Sequence, residues 1–183
     1  MWSVNGYYAF LAEESGATKV TAVDIAPPTP EFETTYKSRN SKINFIQGNI
    51  FSEETAQKTG KHDVVYFSDV LLNCLDLVNT LTFLHKYTAD ILIIVTNIIP
   101  EHSSLKNLCI FYPYLDEKNR KLWSPIDGKA IGLTTPYEPN RPYNNWIWGI
   151  SPSALESILK TSGYKIIQHY YFYLNSLIIC TNK

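Results

Sequence analysis

Short apolar runs and helix-like repeats alternate along most of the chain. Phe10 and Leu11 follow Tyr7 at three and four residues, which is the spacing of one helix face, and Gly16 ends the segment. We therefore predict a helix over Tyr7–Glu14. Four apolar runs rich in β-branched residues predict strands: KVTAVDI, KINFIQGNI, DVVYFSDV and DILIIVTNI.

Weaker helical patterns separate these strands. A helix is predicted over Phe32–Arg39 after the turn APPTPEF, and a short one over Glu53–Thr59, closed by Gly60. Leucines at 71, 72, 75, 77, 81 and 84 predict an amphipathic helix over Leu71–Tyr87. The alternation of strand and helix predicts an α/β fold, with a mostly parallel sheet covered by helices on both faces.

The second half of the chain has a regular part and an irregular part. Ser151 can cap a helix that starts at Pro152 and stops at Gly163, and the runs Lys165–Phe172 and Ser176–Thr181 predict an antiparallel strand pair. Residues 100–148 are rich in Pro, Tyr, Asn and Trp and have little periodicity. We predict an inserted loop or lid there, within a single domain over residues 1–183.

Composition narrows the functional classes. A net charge of −1 argues against a broad nucleic-acid surface, and the longest apolar stretch is too short to cross a bilayer. The cysteines at 74, 109 and 180 lie far apart, which favours buried thiols in a reducing cytoplasm over disulfides. The four histidines lack the spacing of metal ligands, so no metal site is predicted. Nucleophile-elbow, phosphate-loop and dinucleotide-binding glycine motifs do not occur.

Polar residues follow the predicted strands, at the edge where open α/β sheets bind their ligands. Asp24 ends the first run, and a carboxylate there can accept hydrogen bonds from both hydroxyls of a ribose. Asn49, with Ile50 beside it, follows the second run and can pair with an adenine edge. Ser68 and Asp69 follow the third run, where a catalytic or positioning group often lies.

Each of these polar residues also has a structural interpretation. Asp24 can cap the proline-rich turn, Asn49 can shape its own turn, and Asp69 can be the N-cap of the leucine-rich helix. Thr96 and Asn97, after the fourth run, complete the set of strand ends. The residues alone leave both interpretations open.

The order of these segments resembles class I S-adenosylmethionine-dependent methyltransferases. The segments that carry the likeness cover most of the chain: NGYYAFLAEESGATKVTAVDI, INFIQGNIF, HDVVYFSDVLLNCLD, ILIIVTN and SPSALESILKTSGYKIIQ. The nearest branch is the one that contains the wobble-uridine tRNA-modifying enzymes, and YNNWIWGISPSAL is similar to its last element. The family implies a Rossmann-like fold and S-adenosylmethionine as the cofactor.

The resemblance also implies which residues contact the cofactor. These are Asn5, Gly6, Asp24, Ile25, Gly48, Asn49, Ile50 and Ser68. The first two match the end of the glycine-rich loop, Asp24 matches the ribose-binding acid with Ile25 beside the adenine, and residues 48–50 match the adenine-side turn. Ser68 and Asp69 match the segment that faces the methionine moiety.

Two departures from the family pattern limit what it implies. SDVLLNCLD lacks the histidine of the tRNA-modifying branch, so that branch's acceptor chemistry does not transfer. The first strand and the opening of the glycine loop have no counterpart, since Met1 falls where the loop already turns. Each buried backbone group left unpaired there would cost about 1–3 kcal/mol. We expect an internal start or a truncation. The alternatives are sheet closure, a partner chain in the gap, or a degenerate form.

The irregular insertion is the predicted acceptor-binding lid. Its aromatic residues are Tyr112, Tyr114, Trp123, Tyr137, Tyr143, Trp146 and Trp148. Tyr143, Trp146 and Trp148 are the predicted acceptor contacts, and the alternative is a satellite core under a long loop. Asp69 is the predicted general base, with His102 as the second candidate.

Three functions are compatible with this pattern. The first is transfer of a methyl group from S-adenosylmethionine to a small-molecule acceptor. The second is tRNA modification, with Arg120, Lys121 and Arg141 on phosphates, which the charge balance disfavours. The third is a non-catalytic, methyltransferase-like binding or scaffold domain. No membrane partner is predicted, and the sequence does not indicate an oligomeric state.

Overall fold

The structure is a computed structural model, and it describes residues 5–122, 136–140 and 145–182. The chain divides into two compact units, Met1–His62 and Asp63–Lys183. The prediction of a single domain over residues 1–183 stays a prediction, as does the expected gap at the first strand.

The first unit is built on a parallel strand pair. Its elements are, in chain order, α1 (Tyr7–Glu14), β1 (Thr21–Asp24), α2 (Pro30–Ser38), β2 (Asn44–Gln47) and α3 (Glu53–Thr59). The register of β1 and β2 runs from Thr21 opposite Asn44 to Asp24 opposite Gln47. The predicted bounds of α1 and α3 are confirmed, and α2 begins two residues earlier than predicted because Thr29 caps it.

Aromatic side chains form the core of the first unit. Phe10, Ala22, Phe32 and Ile43 are buried together. The Phe32 ring centroid lies 5.2 Å from that of Phe10 and 5.2 Å from that of Phe45. These contacts hold α1 and α2 against the strand pair, and they thereby position the segments that follow each strand.

The second unit contains a mixed sheet and a small antiparallel ribbon. Its elements are β3 (His62–Ser68), a 3-10 turn (Leu71–Asn73), α4 (Leu77–Leu84), β4 (Thr88–Asn97), β5 (Cys109–Phe111), α5 (Glu117–Leu122), β6 (Trp148–Ile150), α6 (Pro152–Thr161), β7 (Lys165–Phe172) and β8 (Asn175–Thr181). The strand order of the sheet is β3-β4-β8-β7, and β8 runs antiparallel to both of its neighbours. The predicted C-terminal antiparallel pair is therefore confirmed.

The predicted helix over Leu71–Tyr87 is wrong in its first third. The chain forms a 3-10 turn with Leu71 and Leu72 buried, then starts a separate helix at Leu77. Asp76 is the cause, because its carboxylate accepts the Asn79 N–H at 2.9 Å and so caps a new helix. The same leucine spacing fits both arrangements.

The insertion carries a ribbon that the sequence pattern does not predict. β5 and β6 pair antiparallel, with Cys109 opposite Ile150 and Phe111 opposite Trp148. Cys109 is exposed, so the prediction of a buried thiol is wrong for it, because alternate residues of this short strand face solvent. Cys74 and Cys180 are buried as predicted. In the described ranges, no helix has both the length and the apolar character needed to cross a bilayer.

Candidate active site

The ends of β1 and β2 meet at one edge of the first unit. The Gly48 N–H donates to the carbonyl oxygen of Asp24 at 2.8 Å, and the Gln47 side chain donates to the carbonyl oxygen of Ile25 at 3.2 Å. The structure therefore brings together Asp24, Ile25 and the turn that follows β2, which the sequence predicts as the nucleoside side of a ligand site.

Asp24 is held in a defined orientation. Its side chain is buried, and Oδ1 accepts the Ala26 N–H at 2.9 Å, which caps the turn before the prolines. The turn-capping interpretation is thus observed. An ionised carboxylate offers about four acceptor sites, so this bond is compatible with a role at a ribose diol, which stays a prediction.

The turn after β2 leaves no room for a side chain at its first position. A Cβ on Gly48 would lie 2.5 Å from Thr55 Oγ1. Asn49 is exposed, and its Oδ1 accepts the Phe51 N–H at 2.9 Å, so the structural interpretation of Asn49 is also observed. Ile50 is half-buried beside it.

A second glycine turn precedes α1. Asn5 Oδ1 accepts the Tyr7 N–H at 3.1 Å, and Gly6 adopts a φ of 74°. A Cβ on Gly6 would lie 2.4 Å from the ring of Phe32, so only glycine permits this close approach. The segment fits the predicted end of a glycine-rich loop.

The chemistry of this edge fits an adenosyl group. It combines an oriented carboxylate at Asp24, a turn without a side chain at Gly48, and apolar side chains at Ile25 and Ile50. Ile25 is 45% exposed, as expected of a side chain that can cover the face of a base. The residues present therefore suit the ribose and adenine parts of S-adenosylmethionine.

In the second unit, the end of β3 is fixed by its neighbours. The Asp69 N–H donates to the carbonyl oxygen of Val95 at 2.9 Å, which joins the ends of β3 and β4. The Ser68 hydroxyl donates to Asp69 Oδ2 at 2.7 Å, and Asp69 adopts a φ of 57°. The N-cap interpretation of Asp69 is wrong, since Asp76 caps α4. Its exposed carboxylate remains the candidate base.

The other strand-end and loop candidates have local roles. Thr96 is buried, and the Asn97 side chain donates to Asn175 Oδ1 at 2.9 Å, which ties β4 to β8. His102 Nδ1 accepts the Ser104 N–H at 3.2 Å within its own loop. A role for His102 as a base stays a prediction.

The ribbon of the insertion is joined to the turn that follows β3. The Ile147 N–H donates to the carbonyl oxygen of Leu72 at 2.8 Å, and Trp148 Nε1 donates to that of Leu75 at 3.2 Å. The predicted acceptor contacts Trp146 and Trp148 are half-buried in this region. Their proposed contact with an acceptor stays a prediction.

Other aromatic residues of the insertion differ in burial. Tyr112 is buried in a cluster with Leu115, Trp146 and Leu174, which supports the satellite-core interpretation for it, whereas Tyr114 is 79% exposed. Trp123, Tyr143 and Arg141 lie outside the described residues. Among the basic candidates, Lys121 pairs with Glu117 at 2.6 Å.

The sequence does not predict a hydrogen-bonded triad of side chains in the second unit, Glu156, His169 and Ser176. His169 contacts Glu156 through Nδ1 and Ser176 through Nε2, each at 2.8 Å. These residues lie 13 and 7 positions from the histidine, so no short motif could reveal them. Ser176 is 2% exposed within the sheet, so a substrate cannot reach its hydroxyl. The triad instead connects α6 to β7 and β8.

Metal ligation finds no support in the part of the chain that the structure describes. No three His, Cys, Asp or Glu side chains there are grouped so as to hold an ion.

Comparison with known proteins identifies the fold. The sequence matches no protein-family model, and no curated protein is significantly similar to it. Solved structures are similar over almost the whole chain.

Three of these structures illustrate the likeness. Magnesium protoporphyrin IX methyltransferase from Synechocystis PCC 6803, with bound S-adenosylhomocysteine, is 16% identical, with 99% of this chain and 71% of that chain covered at a TM-score of 0.59. PH0226 protein from Pyrococcus horikoshii is 17% identical, with 99% of this chain and 79% of that chain covered at a TM-score of 0.63. A 1,6-didemethyltoxoflavin-N1-methyltransferase from Burkholderia thailandensis is 11% identical, with 94% of this chain and 64% of that chain covered at a TM-score of 0.57. The chain therefore has the Rossmann-like fold of S-adenosylmethionine-dependent methyltransferases.

Proposed function

We propose that the protein is an S-adenosylmethionine-dependent methyltransferase that acts on a small molecule. The observation that carries the proposal is the placement of the Asp24 carboxylate beside the Gly48 turn, where the ends of β1 and β2 are hydrogen-bonded. The solved neighbours support it, because their names include methyltransferases with bound S-adenosylhomocysteine. The tRNA-modifying branch has no such support.

The first unit binds the adenosyl part of the cofactor in this proposal. Asp24 accepts hydrogen bonds from the ribose hydroxyls, and Ile25 and Ile50 contact the adenine. Asn5 and Gly6 belong to the turn that precedes α1 and contact the cofactor through their backbone. When bound, S-adenosylmethionine would supply a methyl group on a positively charged sulfur; the carbon–sulfur bond breaks as the acceptor bonds to the methyl carbon, and S-adenosylhomocysteine is the leaving group.

The second unit binds the acceptor. Asp69 accepts the proton that an N–H or O–H of the acceptor loses as its lone pair forms the new bond to carbon. Ser68 orients the carboxylate by donating to Oδ2. Trp146 and Trp148 contact the acceptor and exclude water from it.

Calorimetric titration with S-adenosylhomocysteine tests the cofactor half of the proposal. We expect a Kd below about 100 μM, or roughly −5.5 kcal/mol. Asp24→Asn keeps an oxygen for the Ala26 N–H but removes the negative charge, so it should preserve the turn and weaken binding at least about tenfold. Asp76→Asn is the matched control, since asparagine also caps helices and should leave binding unchanged.

Two results would refute the proposed function. One is the absence of heat with the wild-type protein. The other is unchanged affinity in Asp24→Asn, which would mean that the carboxylate serves the turn alone. Thermal unfolding of each variant separates loss of binding from loss of fold.

A further inference from the structure

The strand β7 lies at one end of the four-stranded sheet. Among the described strands, β8 alone pairs with it, from Lys165 opposite Thr181 to Phe172 opposite Asn175. Hydrogen-bonded pairs alternate along an antiparallel ladder, so every second residue of β7 directs its N–H and C=O away from β8. β7 therefore presents an open backbone edge to which another strand can add.

The two halves of this edge differ in how they are protected. Native proteins protect an open strand edge with charged side chains, especially lysine, and with β-bulges. The first half of β7 has both, since the strand begins at Lys165 and a bulge lies between Ile166 and Gln168. No Asp, Glu, Lys or Arg occurs at positions 166–182. The second half of the edge therefore has no protecting charge of this kind.

Four consecutive aromatic residues occupy the second half of the strand and the start of its turn. We refer to them as the aromatic tip: Tyr170, Tyr171, Phe172 and Tyr173. Their exposed fractions range from 53% for Tyr170 to 83% for Phe172. The preceding residue, His169, is different, because its ring nitrogens contact Glu156 and Ser176. The rings of the aromatic tip are thus not needed to fill the core of the sheet.

The turn holds one of these rings in an unfavourable backbone conformation. Two residues connect Phe172 to Asn175, and Tyr173 is the first of them, with a φ of 62°. Glycine, asparagine or aspartate normally takes such a position in a two-residue hairpin loop. A tyrosine that is both exposed and in this conformation does not serve the turn itself. A contact outside the chain accounts for it.

The aromatic tip is complementary to itself about a two-fold axis. In an antiparallel pair with Tyr171 on the axis, Tyr171 lies opposite its own copy, and Tyr170 lies opposite Phe172 of the partner subunit. Successive side chains point to opposite faces of a sheet, so aromatic pairs form on both faces. Such cross-strand pairs are stabilising, whereas like charges opposite each other are destabilising. The absence of Asp, Glu, Lys and Arg at positions 166–182 avoids that repulsion.

The exposed area of the aromatic tip is sufficient for a specific dimer. A whole aromatic side chain buries about 150–250 Å², so four that are each more than half exposed provide roughly 500 Å² per copy. Two copies would bury about 1,000 Å² from these rings alone. This area reaches the lower limit for a biological interface, before the neighbouring residues of β7 are counted.

We propose that the protein forms a two-fold symmetric dimer in which the second half of β7 pairs antiparallel with the same strand of a second copy. A second copy is the occupant because it presents an uncharged aromatic strand in the matching register. The closed pair covers the unprotected edge of both copies and leaves no room there for a third. The inference concerns assembly and does not depend on the proposed methyl transfer.

Sedimentation velocity of the full chain, from about 1 to 100 μM, tests the dimer. We expect a Kd below about 10 μM for the wild type. Tyr171→Lys and Tyr171→Glu each place two like charges at the axis and should weaken dimerisation at least about tenfold. An equal mixture of the two variants should recover the dimer, because opposite charges then meet. Tyr114→Lys, which changes a tyrosine that is 79% exposed in the insertion, is the matched control and should leave dimerisation unchanged.

Three results would overturn the inference. They are a monomeric wild type at about 100 μM, an undiminished dimer in both Tyr171 variants, and no recovery in their mixture. A monomeric wild type that co-sediments with phosphatidylcholine vesicles would instead assign the aromatic tip to a membrane surface. Circular dichroism shows whether each variant folds. If the Tyr171 variants do not, Phe172→Lys changes the most exposed ring of the tip and should also weaken the dimer at least about tenfold.

Discussion

The Gly48 N–H donates to the carbonyl oxygen of Asp24 over 2.8 Å, so two segments 24 residues apart are joined at the edge of a parallel strand pair. This backbone contact, together with the Ala26 N–H on Oδ1, orients Asp24 at the end of its strand. The position of Asp24 therefore depends on how tightly the turn after β2 can pack.

Gly48→Ala should destabilise the protein. The added Cβ would lie 2.5 Å from Thr55 Oγ1, so α3 or the turn must shift, at a cost of about 1–3 kcal/mol. Urea denaturation measures the loss in the free energy of unfolding. The double variant with Thr55→Ala removes the opposing atoms and should lose less than the sum of the single variants. Strict additivity would contradict the steric explanation.

Ser176→Ala should be more destabilising than an exposed serine substitution. It leaves Nε2 of the buried His169 ring without its partner at 2.8 Å, which costs about 1–3 kcal/mol. Ser157→Ala is the control, because that hydroxyl bonds to Asn107 at the surface and should change the free energy of unfolding by less than about 0.5 kcal/mol. Equal losses in the free energy of unfolding of the two variants would show that the contact between His169 and Ser176 adds no stability.

Glu101 should make stability depend on pH in the acid range. Burial raises the pKa of its carboxyl, but hydrogen bonds from the Ser153 N–H and hydroxyl and the charge of Lys106 outweigh this, so the pKa lies below its ordinary value of 4.5. A lowered pKa means that the folded state favours the carboxylate. The contribution of Glu101 to the free energy of unfolding is present above pH 4.5 and is lost as the pH falls through its folded-state pKa.

Glu101→Gln isolates this contribution. The difference in the free energy of unfolding between wild type and variant should be below about 1 kcal/mol near neutral pH and should shrink in strong acid. A difference that grows as the pH falls would contradict the assignment.

Thiol labelling should distinguish the three cysteines. Burial raises the pKa of all three thiols, that of Cys180 to about 12, but Cys109 is exposed whereas Cys74 and Cys180 are buried. Since the thiolate is the reactive form, a maleimide should modify Cys109 first under native conditions. Cys109→Ser should remove the fast phase, and urea should expose the remaining thiols. Rapid labelling of Cys180 in the native protein would contradict its burial.

Local signals account for the elements that the sequence predicts well. Glu53–Thr59 lies between a serine cap and a glycine, and Ser151 precedes a proline at the first helical position, so neighbouring residues define both helices. The prediction of one helix over Leu71–Tyr87 was wrong because the Asn79 N–H donates to Asp76 and starts a new helix, while the apolar spacing fits either arrangement. The β5–β6 ribbon was missed because each strand has three residues and its partner is distant in sequence.

The residues of the candidate site also fall into those that the sequence predicts and those that it does not. Asp24 and Gly48 were predictable because ligands of α/β sheets lie beyond the strand ends, and the structure brings both residues to one edge. The contact of Trp148 with Leu75 was not predictable, since the ribbon that positions Trp148 pairs segments that are distant in sequence.

The ribbon formed by β5 and β6 has an evolutionary consequence. Backbone hydrogen bonds between β5 and β6 hold Phe111 and Trp148 opposite each other. The main sheet therefore does not depend on the length of the stretch between these two residues. Doubling the length of such a loop costs only about 0.6 kcal/mol in closure entropy. A chain in which that stretch differs in length can therefore keep the same sheet, whereas the turn at Gly48 has no room for even one added methyl group.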